Sequence, residues 1–574
     1  MAKPFESRIQ DLVYNVDVGI GHRIIKVALY FLFIFSVMLI YTATQFRGLK
    51  DPVSMDQAQL GRNMMQHGRL ITQYVRPASM WYLIEKSPRS DPRVDAHPDI
   101  VHAPVYPAML AGWFRLTRAG FPTEIEGRRV YPADNNVVWM NNLFALLTGL
   151  LLFLIARRIF DGRVALLGVT IYFLSDVVWA ESISGTGRSI LTFWATAAFY
   201  TALVAVSNVE EGKPFRRWLV PMVFSLIFCV LAFLTRYGAV VLVPGLALFY
   251  GVALGGRRGG IWAMVFIAAF LIGISPWLAR NRIISGGLLG LAPYTALNQT
   301  EAFEADTFER SLAPEIDFET AWTSLQPKFI NNVKTFYSEN VRLLGDGLLG
   351  ALFLVTFFYR FIRRPVHLFR WALAVSILLL MFLGGLFGDE TMKLINMFWP
   401  IVILYGLAFF MILLDRLQLE VRILNIGVIA ALVILSALPI VFTFLPPRAS
   451  LPYPPYYPPF IMRVSNLLQP GELMCSDMPW ATAWYGNRNT LHLPVTLDEF
   501  YDVNDFVRPV RGLYLTHVSR DQPYLRGFRT GRHRSWYMIQ QLQIPGDFPL
   551  TQGFTLPPQQ LDQVFLTDRQ RWLD

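Results

Sequence analysis

The sequence predicts a polytopic α-helical membrane protein of about eleven transmembrane helices, followed by a small extracytoplasmic α/β domain at the C-terminus. Of the 574 residues, 54% are hydrophobic and 16% are charged, and the mean hydropathy is +0.39. The apolar residues fall in long blocks, each long enough to cross a hydrocarbon core about 30 Å thick. Residues 460–574, by contrast, have the composition of a soluble domain. These observations together give the fold class.

Charge, cysteine content and the N-terminal sequence indicate which partners and covalent features to expect. The net charge of +10 does not indicate a nucleic-acid partner, because the arginines cluster in short loops between apolar blocks. Cys229 lies in an apolar block and Cys475 lies in the C-terminal region, so a disulfide framework is not expected. Arg23 and Lys26 lead directly into an apolar run without a small-residue cleavage site. We therefore expect the first span to be retained as an anchor.

The predicted spans follow from length and hydropathy. They lie at residues 25–44, 135–156, 163–180, 189–207, 217–235, 237–254, 261–279, 343–362, 366–387, 394–414 and 423–445. Alternate loops carry the basic residues Arg157, Arg158, Arg163, Lys213, Arg216, Arg217, Arg257, Arg258, Arg360, Arg363, Arg364, Arg416 and Arg422. The positive-inside rule makes that face, with the N-terminus, cytoplasmic.

The opposite face carries two large loops, 45–133 and 280–340, and everything after the last span. Residues 104–116 are apolar and aromatic but too short to span, so they form either an interfacial helix or a packed loop helix. Seven of the fourteen residues in 446–459 are proline, which predicts a semi-rigid linker. Beyond it we expect strands at 473–476, 490–493, 512–516 and 535–539, with helices near 461–468, 479–486 and 496–502.

The start of the first outer loop holds the principal candidate residue, Asp56. Ser54 with Gln57 three residues later is typical of a capping box, and Gly68 would end the helix that it starts. Asp56 would then lie in the first helical turn, where backbone N–H groups and the helix dipole favour an ionised carboxylate. Such a carboxylate is suited to act as a general base or to bind a cation. The alternative is that Asp56 only helps the helix to start.

Charged residues at the edges of the spans form a second group of candidates, since charges near a bilayer are costly unless paired. With the predicted topology, all of them fall at the outer interface: Asp176, Glu181, Arg188, Arg236, Arg280, Arg282, Asp389, Glu390 and Lys393, with His97 and His102 in the first loop. Outer-face arginines suit an anionic ligand such as a phosphate. The alternative is structural ion pairing, for example between Glu181 and Arg188.

Several of these segments carry a resemblance to a known family. They are Asp51 to Asp56, Ala103-Pro-Val-Tyr-Pro-Ala-Met-Leu, Leu234-Thr-Arg-Tyr-Gly, Pro276-Trp with Arg280-Asn281, a charged residue ahead of Pro400, and the C-terminal Pro479-Trp-Ala-Thr-Ala-Trp-Tyr-Gly-Asn-Arg. Over residues 25–410 the chain resembles the GT-C superfamily of membrane glycosyltransferases, in the branch of bacterial protein mannosyltransferase-like and aminoarabinose transferase-like enzymes. The order of these segments along the chain, rather than any single motif, carries the resemblance.

The resemblance implies a polyprenyl-phosphate sugar donor, and an acceptor that is a glycan, a lipid or a protein. It places the chain in a bacterial plasma membrane with no role for nucleic acid. Asp56 would be the general base of an inverting transfer. The lipid phosphate and sugar would be bound by His102, Arg188, Arg236, Arg280 and Lys393. Asp51, Asp176 and Glu181 would give acidic support or hold a divalent cation, Mg²⁺ or Mn²⁺.

Two departures from the family pattern leave metal dependence open. Many relatives carry a Lys or Gln ahead of the paired prolines, where this chain has His102 or its neighbours, and the loop 181–188 lacks an Asp shortly after it. Two other functions also stay open. A transporter or flippase of an amphipathic anion would favour broken central helices and inverted repeats, neither of which the sequence indicates. A polysaccharide polymerase or ligase would use a lipid-linked oligosaccharide and need no carboxylate base.

Overall fold

The structure is a computed structural model that describes residues 20–88, 94–125, 130–341, 344–418, 421–445, 457–516, 518–519, 534–554 and 563–572. Within these residues, nine helices are long and apolar enough to cross a membrane. They are Ile24–Gln45, Pro132–Ile159, Arg188–Glu210, Phe215–Thr235, Tyr237–Leu254, Gly256–Ser285, Arg364–Phe387, Asp389–Arg416 and Arg422–Phe444. The predicted class, a polytopic helical membrane protein with a small C-terminal α/β domain, is confirmed.

Two predicted spans differ from single straight helices. The span expected at 163–180 is a pair, Gly162–Leu174 and Asp176–Ser184, bent by 53°. The bend arises because Ser175 between them is extended, with φ −79° and ψ 127°. The span expected at 343–362 is the short helix Leu348–Phe358, because the glycines before it hold φ of +67° and +73° and prevent an earlier start. At 1.5 Å per residue this helix is too short to cross the bilayer.

The outer segments add further short helices. In the two loops they are Pro52–His67, Pro77–Glu85, Val105–Thr117, Thr307–Arg310 and Phe318–Thr335. In the C-terminal region they are Pro458–Asn466, Pro479–Trp484, Leu497–Asp502 and Arg534–Gln540. The last of these replaces the strand predicted at 535–539. Trp536 and Ile539 are both fully buried, and this three-residue spacing suits one face of a helix rather than a strand.

The C-terminal sheet draws one strand from the first outer loop. Its order is β2-β5-β4-β6-β8-β7, with β2 Tyr74–Val75, β4 Leu473–Ser476, β5 Asn489–His492, β6 Val510–Leu515, β7 Gln552–Gly553 and β8 Val564–Thr567. The strands β2 and β5 are parallel, with Tyr74 opposite Thr490. A separate pair joins β1 Ile71–Thr72 to β3 His97–Pro98. The first loop and the C-terminal domain therefore fold as one unit. Of the predicted linker, residues 446–456 lie outside the described part.

The helix Pro52–His67 starts three residues earlier than the sequence predicts. Asp51, not Ser54, is the N-cap: its carboxylate accepts from Val53 N at 2.9 Å, and Pro52 occupies the first helical position. Ser54 instead donates to the carbonyl of Asp51. The predicted end is correct, with Gly68 at φ +66°. Asp56 therefore lies in the second turn, outside the region where the helix dipole acts most strongly.

The segment 104–116 forms the helix Val105–Thr117, which packs along the helix Pro52–His67. The two helices approach closely at Gly61, where an added Cβ would lie 2.7 Å from the Cβ of Leu110. Tyr106, Leu110 and Phe114 are fully buried, whereas Leu116 on the other face is 75% exposed. One face of this helix is thus packed against the protein, as the packed-helix interpretation expects, and the other face is exposed.

Candidate functional site

A cavity of about 690 Å³ lies where both outer loops, the ends of several apolar helices and the C-terminal domain meet. The polar side chains in its lining include those of Asp56, Gln57, Arg76, His102, Arg236 and Glu309. The apolar side chains include those of Phe233, Phe270, Leu271, Ile274, Leu383 and Phe387. Its volume is within the range of small-molecule sites. The combination suits a ligand with a charged head and a hydrocarbon tail.

Three partners hold the carboxylate of Asp56 in this cavity. Arg76 Nη2 donates to Asp56 Oδ2 at 2.6 Å, and Gln59 Nε2 donates to Oδ1 at 3.0 Å. His102 Nε2 lies 3.4 Å from Oδ2. The Asp56 side chain is only 2% exposed. An ion pair, rather than the helix N-terminus that the sequence suggested, therefore stabilises the ionised carboxylate.

Arg76 is a site residue that sequence reasoning missed. Its Nε donates to Glu309 Oε2 at 3.0 Å, so one guanidinium joins a carboxylate of the first loop to one of the second. The guanidinium also lies 3.8 Å from the ring centroid of Tyr74, in a cation–π contact. The available signal was an arginine on the outer face, but Arg76 lies within the loop rather than at the edge of a span.

His102 is oriented by Asp99, which the sequence analysis also passed over. The Asp99 carboxylate lies 3.1 Å from His102 Nδ1 and accepts from the His102 backbone N–H at 2.9 Å. Burial alone would raise the pKa of Asp99, but the charge and hydrogen bonds of His102, with the charge of Arg76, lower it. Arg280 donates to the carbonyl of Asp99 at 2.9 Å and does not line the cavity. It holds the loop that carries His102.

Arg236 presents a charged group to the cavity with spare hydrogen-bonding capacity. Its Nη2 donates to the carbonyl of Thr186 at 2.8 Å, while its buried Nε has no hydrogen-bond partner in the part of the chain that the structure describes. Gly187, at φ +79°, lies against the ring of Tyr106, where an added Cβ would approach to 2.8 Å. A glycine here lets the turn that supports Arg236 pack closely.

The remaining candidates form ion pairs around this centre. Arg188 is bonded to Glu181, as the alternative interpretation expected, and lies 3.5 Å from Glu390, which lines the cavity. Lys393 pairs with Glu390 at 3.0 Å and does not itself line the cavity.

The acidic candidates Asp51 and Asp176 are separated in the structure. Asp51 caps its helix, and burial, with the charge of Glu390, raises its pKa against the opposing charge of Arg188. Asp176 lies apart from the cavity and accepts from Tyr41 at 2.9 Å.

The residues around Asp56 do not suit a divalent cation. Within the described residues, no group of three or more His, Cys, Asp or Glu side chains converges as a metal site. The nearest charged neighbour of the Asp56 carboxylate is the guanidinium of Arg76, and a metal ion bound to this carboxylate would lie against that cation.

Comparisons with known proteins agree with this architecture. A family model described as dolichyl-phosphate-mannose-protein mannosyltransferase matches residues 132–279. No curated protein matches the sequence.

Among solved structures, ArnT from Cupriavidus metallidurans bound to undecaprenyl phosphate is similar with a TM-score of 0.54 and 12% identity, over 94% of this chain and 98% of that one. The Archaeoglobus fulgidus oligosaccharyltransferase AglB, in complex with an inhibitory peptide and a dolichol-phosphate, gives a TM-score of 0.54 at 10% identity. That match covers 86% of this chain and 70% of the AglB chain. At these identities the likeness shows the fold. With the family match, it confirms the resemblance to the GT-C superfamily.

Proposed function

We propose that this chain, which has the GT-C fold, is an inverting glycosyltransferase that moves a sugar from a polyprenyl phosphate to an acceptor hydroxyl at the membrane surface. One observation carries the proposal: a single cavity joins the buried carboxylate of Asp56, the guanidinium of Arg236 and apolar walls. The lipids in the two similar structures, undecaprenyl phosphate and dolichol-phosphate, have the same two-part chemistry.

The cavity suggests how the donor binds. The apolar walls receive the first isoprene units, and the phosphate accepts hydrogen bonds from Arg236, whose Nε is otherwise unpartnered. Arg188 lies behind it, in an ion pair with Glu390. As the sugar–phosphate bond breaks, negative charge grows on the leaving phosphate. A guanidinium already in place stabilises that charge without reorganisation.

Asp56 is the general base of this mechanism. The acceptor oxygen attacks the anomeric carbon on the face opposite the phosphate, and its proton passes to the Asp56 carboxylate. The bond to the phosphate oxygen breaks with its electron pair, so the products are an inverted glycoside and a free polyprenyl phosphate. Arg76 and Gln59 fix the carboxylate in position, one on each oxygen, and leave further lone pairs to accept the proton.

The orientation of the chain belongs to the same proposal. Arg363 Nη1 donates to the carbonyl of Arg158 at 3.3 Å, so two of the basic loops contact each other. The positive-inside rule makes the face that carries the basic loops, with the N-terminus, cytoplasmic. We place the site and the C-terminal domain on the outer face of a bacterial plasma membrane. The acceptor hydroxyl belongs to a glycan, a lipid or a protein.

Turnover by the purified protein in lipid tests the proposal. Polyprenyl-phosphate sugars are supplied with candidate acceptors, and release of free polyprenyl phosphate is measured with and without EDTA. Asp56→Asn should fold and lose transfer, while the matched control Asp176→Asn, outside the cavity, should keep it. EDTA should leave the rate unchanged. Full activity of Asp56→Asn would refute the role of the base, and donor movement between leaflets without turnover would favour a transporter.

A further inference from the structure

Two neutral polar atoms, on side chains that line the cavity, take no part in the proposed transfer. Gln57 Oε1 and Trp480 Nε1 are buried and make no hydrogen bond among the residues that the structure describes. Both side chains line the same cavity as Asp56, and Gln57 is only 1% exposed. A buried acceptor and a buried donor without partners are costly. Their location in one cavity indicates a ligand that supplies both partners.

Trp480 belongs to the C-terminal domain, at the start of the helix Pro479–Trp484. Its ring meets those of Tyr74 and His492 edge-on, with centroids 6.2 and 5.9 Å away. The Tyr74 hydroxyl lies 3.1 Å from His492 Nδ1. The indole is therefore part of the cavity wall and packs against strand β2 of the first loop and strand β5 of the domain.

Arg62 fixes Trp480 relative to Gln57. It lies on the helix Pro52–His67, which carries Gln57, and donates to the carbonyls of Ala483 and Trp484 at 2.8 Å. These carbonyls belong to the helix that starts beside Trp480. The two unpartnered atoms are thus presented by elements that are bonded to each other, so their relative position is built into the fold.

We propose that Gln57 and Trp480 form the subsite for the sugar ring of the donor. A pyranose is a neutral ring with C–H groups on its faces and hydroxyls around its edge. An aromatic side chain with one donor and one acceptor nearby matches that chemistry, whereas an anion would seek the guanidinium of Arg236. This inference rests on the proposed function, and it assigns sugar recognition in part to the C-terminal domain.

Binding of lipids with and without a sugar tests the subsite. Dissociation constants are measured for undecaprenyl phosphate and for a panel of its mannose, glucose and aminoarabinose esters, with the whole protein in nanodiscs. The wild type should prefer at least one ester to the bare lipid phosphate. Trp480→Phe and Gln57→Leu should each weaken the binding of that ester by roughly threefold to tenfold, which corresponds to the loss of one hydrogen bond. Binding of the bare lipid phosphate should not change, and this also shows that each variant is folded.

Trp113→Phe is the matched control. The indole N–H of Trp113 is likewise buried and has no hydrogen-bond partner among the described residues, but it lies on the helix Val105–Thr117 outside the cavity. Its replacement should leave all affinities unchanged. The subsite is refuted if no ester binds the wild type better than the bare lipid phosphate does. It is also refuted if Trp480→Phe and Gln57→Leu weaken the binding of the ester and of the bare lipid equally, or if these variants raise only the KM for the acceptor. Wild-type turnover with these outcomes refutes the subsite alone, whereas absence of turnover with any donor refutes the proposed function.

Discussion

The carboxylate of Asp56 lies 2.6 Å from the guanidinium of Arg76, and the two side chains are 2% and 8% exposed. Glu309 Oε2 accepts a hydrogen bond from the Nε of the same arginine at 3.0 Å. The first and second outer loops are therefore joined by these three charged side chains, all of which line the cavity. Removing one member of such a group costs far more than removing matched members together, because an isolated buried charge is left behind.

Arg76→Met should destabilise the protein by about 3–5 kcal/mol, since Asp56 and Glu309 then lose their shared cation. The double variant Asp56→Asn with Arg76→Met should recover part of that loss, because one of the uncompensated charges is gone. Thermal unfolding in a fixed detergent measures the loss of stability and its partial recovery. Turnover measures the effect of each variant on catalysis. Both variants should be inactive. A double variant as unstable as Arg76→Met would contradict the coupling of the pair.

Arg236→Gln should weaken the binding of undecaprenyl phosphate by about tenfold to a hundredfold, the value of a charge-assisted hydrogen bond. Arg236 lines the cavity with an unpartnered Nε, so the lost interaction is one made to the ligand. Arg282→Gln is the control, because Arg282 is exposed and does not line the cavity. Equal dissociation constants for wild type and Arg236→Gln would show that the phosphate binds elsewhere.

The pH dependence of stability should carry the signature of Asp51. Burial, with the charge of Glu390, raises its pKa in the folded state, so the folded protein takes up a proton at higher pH than the unfolded chain does. The wild type should therefore gain stability relative to Asp51→Asn as the pH falls through the folded pKa, until the unfolded value of about 3.9 is reached. Asn is also a good N-cap, so the helix start is preserved.

The difference in Tm between wild type and Asp51→Asn, followed from neutral to acid pH, checks this sign. Asp176→Asn serves as a second carboxylate variant, since Asp176 bonds Tyr41 and does not line the cavity. A difference that shrinks or stays constant on acidification would mean that the pKa of Asp51 is not raised in the folded protein.

Most of the membrane-spanning helices could be predicted because they depend on local sequence, whereas the choice of Asp56 as the general base stays a prediction. Hydropathy is a property of consecutive residues, so it gives the spans without knowledge of the fold. The bend at Ser175 has no such hydropathy signal. The start of the first outer helix was misplaced because the capping pattern at Ser54 competes with Asp51-Pro52, which combines an N-cap with the preferred first helical residue.

The partners of Asp56 could not be predicted, because they are brought together by the fold. Glu309 lies 233 residues beyond Arg76, and no periodicity links them. Strand β2 consists of two residues whose hydrogen bonds are made with the C-terminal domain. The role of Trp480 depends on the same long-range pairing. Sequence reasoning therefore found a carboxylate and a set of cations, while the structure decides which of them share a cavity.

Arg62 gives a test of how the C-terminal domain is held over the site. Its guanidinium is 1% exposed, and burial lowers its pKa to about 10. It donates to two carbonyls of the domain and, at 2.5 Å, to Gln73. Arg62→Gln leaves buried carbonyls without donors, so we expect a loss of about 3 kcal/mol in stability. The domain should loosen from the loop before the apolar helices unfold.

Hydrogen–deuterium exchange locates that loosening. In Arg62→Gln, exchange should increase in the amides of β2 and β5, while the helix Arg188–Glu210 should stay as protected as in the wild type. Arg69→Gln is the control, since Arg69 is an exposed arginine just after the same helix. If Arg62→Gln leaves β5 protected, other contacts, such as the pairing of β2 with β5, are sufficient to hold the domain. If exchange rises equally in the apolar helices, Arg62 stabilises the whole fold rather than the contact over the cavity.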